Sequence, residues 1–279
     1  MKNQIKEKPL ILFAYIFKEL NLPHILKYLL FIILKNKNIP IRSQIKLSSA
    51  KVDLNIGNFI DYWIYVDESY EEKWLIEAQK LVKDRVFIDV GSHIGVYPLS
   101  LYKDASFIYS FEPEEKNYKR LLHNLKINEI KNVMAMRKAV FYEDRKIVKL
   151  YISNHDSGWH SLSIQYSDNI QKVKSVSLDN FVNQNKIKDI SLIKIDVEGG
   201  EYDVIQGAKN TLKKFHPSLL IEFNKPFSML GGHKLIEIYK LIIDNHYLCF
   251  RLRNRNLIQI NDLDMERIYN ENLLFIYHE

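Results

Sequence analysis

The sequence predicts a doubly wound α/β domain: a mostly parallel sheet with helices on both faces, plus a helical extension at the N-terminus. Three observations carry this expectation. Short, nearly all-apolar runs recur at Val86–Val90, Phe107–Phe111, Leu192–Val197 and Leu219–Phe223, as strands buried on both faces require. Stretches with apolar residues at helical spacing separate them. A glycine turn, Gly91 to Gly95, follows the first run, and acids follow the second and third. In open α/β sheets this carboxyl edge is where ligands bind.

Taken in order, residues 1–70 form the extension and residues 71–279 the main domain. The apolar runs Pro9–Phe17 and Tyr28–Leu34 read as two helices broken near Pro23. Val52–Ile56 and Tyr62–Val66 read as short strands. Glu71–Val82 carries Trp74, Leu75, Ala78, Leu81 and Val82 at helical spacing. After the first buried strand and its glycine turn, Val96–Tyr102 suits a short helix. Glu114–Leu125 is a helix with Tyr118, Leu121, Leu122 and Leu125 on one side. Asn132–Val140 reads as a strand and Lys146–Ile152 as an antiparallel excursion. Residues 153–170 read as a polar loop, Val173–Leu178 as a strand, and Asp179 as a helix N-cap. Glu201–Lys213 is a helix, as is Leu235–Ile243. Leu248–Leu252, Leu257–Ile260 and Leu273–Tyr277 close the chain as strands.

Composition narrows the function. Of 279 residues, 47% are hydrophobic and 27% charged, which is globular usage. The single cysteine, Cys249, excludes a disulfide framework and a cysteine-rich zinc site. It suits a reducing compartment, so a cytoplasmic location is expected. The net charge of +6 is uneven: residues 1–51 carry ten Lys/Arg against Glu7 and Glu19, so the remainder sums to −2. Neither N-terminal apolar run reaches the roughly 18–20 residues a bilayer span needs. The basic extension reads either as a packed helical hairpin or as a peripheral membrane contact through residues 1–51. Nucleic acid is a poorer partner, because the basic residues do not lie on the main body.

Three motifs carry chemistry. Asp89-Val-Gly91-Ser-His93-Ile-Gly95 supplies a tight turn and close backbone approach; it is neither a GxGxxG fingerprint nor a phosphate loop. Glu112 lies 23 residues after Asp89 at the end of the second strand, where an acid accepts hydrogen bonds from both hydroxyls of a ribose. Asp196-Val-Glu198-Gly199-Gly200-Glu201 puts acids at a strand end, where they can orient a substrate, act as a base or bind a cation. Glu201 also reads as an ordinary first-turn acid.

At these motifs the sequence resembles the FkbM-type methyltransferases, a branch of the class I S-adenosylmethionine-dependent enzymes. The matching stretches are FIDVGSHIG (87–95), FEP (111–113), KNYKRLLHNLKIN (116–128), VKSVSLDNF (173–181), LIKIDVEGGEYDVIQGA (192–208) and PSLLIEF (217–223). The resemblance implies a Rossmann-like, mostly parallel seven-stranded sheet, S-adenosylmethionine as methyl donor, and O-methylation. By matching position, Asp89, Gly91, His93 and Gly95 flank the methionine part of the donor, with Asp196 beside it. Glu112 binds the ribose, and Ala139 lies near the adenine. Ser92-His93 stands where the family commonly has Ala-Asn, and Gly200 where it often has an aromatic.

The resemblance further implies a sugar hydroxyl of a bacterial surface or secreted glycan, or its nucleotide-activated precursor, as acceptor. Such a hydroxyl needs a general base, for which Asp196, Glu198, His160 and His155 are the candidates. Trp159 is placed to stack on a sugar face or to pack. A divalent cation between Asp196 and Glu222 is conceivable, but no metal signature supports it. The alternative reading is an RNA methyltransferase that grips phosphate through the basic extension. The oligomeric state is not legible.

Overall fold

The computed structural model describes residues 23–35, 37–67, 70–144, 147–153, 158–165 and 167–279. The run Pro9–Phe17 and the candidate base His155 lie outside them.

Strands β3 (Val86–Val90), β4 (Phe107–Phe111), β5 (Val133–Met136), β10 (Leu192–Ile195) and β11 (Ser218–Asn224) pair in parallel in the order β5-β4-β3-β10-β11. Beyond β11 the order continues with β14 (Asn270–Tyr277), β12 (Tyr247–Arg253) and β13 (Asn256–Ile260), each antiparallel to its neighbour. The sheet therefore has eight strands and is mixed, rather than the seven expected. The extra edge is β13, a hairpin return from β12 through Asn254 and Arg255, both with positive φ.

Period 2 along each central strand explains the continuous apolar runs. Ile88, Val90, Ile193, Ile195, Leu219 and Ile221 face one helical layer. Phe87, Leu192, Leu220 and Leu274 face the other, against Leu75, Ala78 and Val82 of α3 (Glu72–Val82) and Tyr97 and Leu101 of α4 (Val96–Leu101). Both faces are dry, so alternation with polar residues is absent. The polar exceptions share one parity: Asp89 pairs with Lys194, and Glu222 with Asn272, in directly opposed register. All four belong to the layer of α3 and α4, near the carboxyl ends of the parallel strands and the amino end of β14.

The extension consists of α1 (His24–Leu34), the hairpin β1 (Pro40–Gln44) and β2 (Lys51–Asn55), and α2 (Phe59–Val66). Tyr62–Val66, expected as a strand, is helical. A short aromatic and β-branched run cannot separate a strand from a buried helix by pattern alone; here Asp61, Tyr62, Tyr65 and Val66 are buried. Leu30, Phe31, Leu34, Val52, Leu54 and Tyr62 share one core with Ile94, Leu99 and Leu121 of the main domain. Buried Asp61 pairs with Arg120 of α5 (Glu115–Ile127), and Asp53 N–H donates to Asn124 Oδ1 at 3.0 Å.

Three further expectations are corrected. Asn132–Val140 divides, because β6 (Ala139–Val140) leaves the main sheet to pair with β9 (Ser175–Val176). Glu201–Lys213 is two helices, α7 (Glu201–Gln206) and α8 (Lys209–Phe215). The break falls at Gly207, where a Cβ would lie 2.2 Å from the Phe141 carbonyl oxygen. Asp179 does not cap its own helix, α6 (Leu178–Gln184); Ser177 does. The Asp179 carboxylate instead accepts from the N–H groups of Asn210 and Thr211, at 3.0 and 2.7 Å, in the first turn of α8.

Candidate functional site

A cavity of about 580 Å³ opens at the carboxyl ends of β3, β4, β10 and β11, a volume suited to a small-molecule ligand. Asp89, Gly91, His93 and Glu112 line it from one side. Asp196, Glu198, Ala139 and His160 line it as well. Gly95 does not. It adopts φ +96°, and its missing Cβ makes room for Leu121, whose Cδ1 would lie 2.6 Å away; its place is helix packing. Gly91 also has positive φ, and a Cβ there would lie 1.8 Å from the Asp196 carbonyl oxygen. The glycine thus lets the ends of β3 and β10 meet.

Glu112 is buried, and its carboxylate organises the turn. Oε2 accepts from the His93 N–H and Oε1 from the Glu114 N–H, both at 2.8 Å. Burial pushes its pKa up to about 8 despite these two donors. His93 reaches this bond by taking a left-handed conformation, φ +50°, which is uncommon without glycine.

The deep end holds a charge cluster. Lys194 is buried, its Nζ lying 2.9 Å from Asp196 Oδ2 and 4.7 Å from the Tyr97 ring centroid. Burial alone would lower its pKa, but Asp196, Asp89 and Glu71 together hold it above the ordinary lysine value. Asp89 is pushed up to about 6 by burial, against the pull of Lys194. Both its carboxylate oxygens are buried without a hydrogen-bond partner, the nearby Ser92 hydroxyl donating to the Asp89 carbonyl instead. Glu71 accepts from the Tyr97 hydroxyl at 2.9 Å and from Asn272 Nδ2 at 3.3 Å, and burial raises its pKa.

Asp196 and Glu222 share a hydrogen bond and one proton. Burial opposes ionisation of both, but Lys194 holds Asp196 below the usual carboxylate range while Glu222 is driven well above it. Asp196 is therefore the ionised partner and Glu222 the donor. Oxygens of Asp196, Glu198 and Glu222 lie within 4.8 Å of one another, spacing that would fit a cation. The Lys194 ammonium also lies in this cluster, 2.9 Å from Asp196 Oδ2. Glu201 is structural: its Oε1 accepts from the N–H groups of Val197 and Gly199 at 3.4 and 3.1 Å, and burial raises its pKa to about 7.

His160 lines the opposite wall. Its Nδ1 accepts from the Ser153 N–H at 3.1 Å, and burial lowers its pKa. A neutral ring that accepts at Nδ1 carries its hydrogen on Nε2. Trp159 packs edge-on to Phe227 at 5.7 Å on the cavity lining. The sequence reading missed Glu71, Tyr97 and Asn272. It gave Lys194 no role, although a lysine inside an otherwise apolar strand is itself a signal.

Comparison with known proteins now bears on this site. The family described as "Methyltransferase FkbM domain" matches residues 89–249. The hexuronic acid methyltransferase AglP of Haloferax volcanii is 25% identical over 206 residues, covering 67% of this chain and 84% of its own length. Methyltransferase 1 of Beauveria bassiana is 23% identical over 180 residues, 57% of this chain and 69% of its own. Among solved structures, methyltransferase FkbM from Methylobacillus flagellatus is similar with a TM-score of 0.47 and 15% identity, over 77% of this chain and 52% of that one, which this chain thus spans by about half. The O-methyltransferase from Bacillus cereus, solved in complex with SAH, gives a TM-score of 0.46 and 12% identity over 75% and 81%.

Proposed function

The chain belongs to the FkbM methyltransferase family, and from that premise we propose that it is an S-adenosylmethionine-dependent O-methyltransferase acting on a sugar hydroxyl of a glycan or its activated precursor. The observation that carries this reading is the one cavity that joins a ribose-type acid, Glu112 after β4, to an ionised acid, Asp196 after β10, across the end of β3 between them. The relative named for hexuronic acid methylation supports the saccharide class.

The residues present fit the donor. The partnerless, buried oxygens of Asp89 suit a cationic amino group. Each Glu112 oxygen accepts only one backbone N–H and retains capacity for a diol hydroxyl. When bound, the donor supplies a methyl group already activated on a sulfonium. The chain's own contribution is orientation and proton handling. Asp196 takes the acceptor hydroxyl's proton, and Glu222 stabilises the paired carboxylate through the hydrogen bond they share. Lys194 keeps Asp196 ionised until that step. His160, fixed by Ser153 with its hydrogen on Nε2, donates a hydrogen bond to the acceptor and serves to position it. Trp159 offers the apolar face on which a sugar ring stacks.

The test is transfer of a labelled methyl group from S-adenosylmethionine to a panel of nucleotide-activated sugars, oligosaccharides and RNA, with mass spectrometry of the products. Label on a saccharide oxygen is the expected outcome. Label on RNA with none on any saccharide would overturn the acceptor class.

A further inference from the structure

Helix α1 is apolar on every side. Leu30, Phe31 and Leu34 are buried in the core shared with the main domain. The opposite face presents Ile25, Leu29, Ile32 and Ile33, which are 65, 50, 53 and 53% exposed, together with Leu26 and Tyr28. Lys27 is the one charged residue in the helix, and its Nζ is turned to the Val66 carbonyl oxygen at 3.3 Å. Among the described side chains of the outer face the only polar group is the Tyr28 hydroxyl. Surface helices of a globular body ordinarily keep that side charged, and patches of this kind mark interaction sites.

The surroundings identify the partner by charge. Between residues 23 and 51 the sequence has Lys27, Lys35, Lys37, Arg42, Lys46 and Lys51 and no acid, and of these Arg42 pairs with Asp53 and Lys46 with Glu72. Lys35 and Lys37 follow the helix directly and are exposed. An apolar stripe edged by lysines fits an anionic lipid surface. It fits a second copy poorly, because a two-fold contact would set the same lysines against one another. At 11 residues, α1 is far too short to span a bilayer, and no helix among the described residues is long and apolar enough to cross a membrane.

The helix also adjoins the cavity, through its buried face. Phe31 on α1 meets Phe59 on α2 with ring centroids 5.3 Å apart, and Phe59 lines the cavity. One ring therefore separates the membrane-facing helix from the site.

We propose that α1 is an interfacial helix whose outer face lies in an anionic membrane surface, with the cavity on the inner side of the same helix. Surface binding stands independently of the methyl-transfer reading. Its corollary, that the acceptor saccharide is carried on a lipid, rests on that reading.

The test uses the full chain and sedimentation with vesicles of phosphatidylcholine containing 30% phosphatidylglycerol, against phosphatidylcholine alone. Binding is expected to the anionic vesicles, to weaken about fivefold on Lys35→Gln, as removal of one interfacial lysine implies, and to fall in 0.5 M salt. The triple variant Ile25→Gln, Leu29→Gln, Ile33→Gln is expected to lose at least tenfold in vesicle affinity while binding S-adenosylmethionine like the parent, which reports an intact fold. No binding by the parent, or unchanged binding by the triple variant, would overturn the proposal. So would a stable dimer that the triple variant dissociates. In a labelled-methyl assay on a cell extract divided into organic and aqueous phases, label in the organic phase supports the lipid-carried acceptor. Label confined to aqueous sugars overturns that corollary and leaves surface binding intact, whereas loss of donor binding alone would sink the methyl-transfer reading and not the interface.

Discussion

Replacing Glu112 with Gln tests the donor site most directly. The carboxylate holds two backbone N–H groups at 2.8 Å and, in the proposed complex, two ribose hydroxyls. Glutamine offers one oxygen and one amide nitrogen, so either the His93 or the Glu114 N–H faces another donor. A buried donor left unmet costs about 1–3 kcal/mol, and each lost charge-assisted bond to the diol costs about as much. Donor affinity should therefore fall by about 10- to 100-fold. The pH profile sharpens the test. Burial raises the Glu112 pKa to about 8 in the free protein, while hydroxyl donors favour the ionised form. Binding then releases a proton below pH 8, and affinity climbs with pH by up to about tenfold per unit between pH 6 and 8, levelling above. The same raised pKa acts on stability in the opposite sense: its contribution is full below about 4.5 and is lost as pH rises through 8. Calorimetry of S-adenosylmethionine binding from pH 6 to 9 measures the slope, and the Gln variant, with no carboxyl to titrate at 112, subtracts the ligand's own ionisation. A parent and a variant with parallel profiles and equal affinity would refute the ribose assignment.

Other outcomes follow from the same cluster. Lys194→Met strands Asp89, Asp196 and Glu71 without their cation and should cost about 3–5 kcal/mol, seen as a fall in Tm of about 10 °C. The loss should be smaller at pH 5 than at pH 8, because Asp89 titrates near 6; a Tm change independent of pH would count against the cluster. Asp196→Asn should lower kcat by about 10²–10⁴-fold, as expected for a lost general base, with donor affinity changed far less; a kcat within threefold of the parent would move the base elsewhere. His160→Gln retains a hydrogen-bond donor and should leave kcat within about fivefold with the pH profile unshifted. Loss of the profile's acidic limb in that variant would restore the histidine as base.

The central strands were legible because burial on both faces leaves a nearly all-apolar run, broken only by Asp89 in Phe87–Val90 and by Lys194 in Leu192–Ile195. The glycine turn and Glu112 could be placed because they terminate such runs. Tyr62–Val66 misled because five apolar or aromatic residues satisfy either period. The break at Gly207 depends on the Phe141 carbonyl, 66 residues away in sequence, so no local pattern announces it. Glu71 and Asn272 join the site across 201 residues, through hydrogen bonds that only the folded chain creates. The protonation pattern was likewise hidden: Asp196 and Glu222 are both acids at strand ends, and it is the Lys194 ammonium, 2.9 Å from Asp196, that favours charge on Asp196.

The grip of the extension on α5 has a mechanical consequence. That helix begins just after Glu114, whose side chain caps it, and about two and three turns further along it is clamped by Arg120 to Asp61 and by Asn124 to the hairpin. The same helix thus has Glu112, the proposed ribose acid, just before its start and the extension on its flank. Moving α1 and α2 while keeping these clamps would require moving the start of α5, and with it the loop of Glu112, so the extension and that loop share one support.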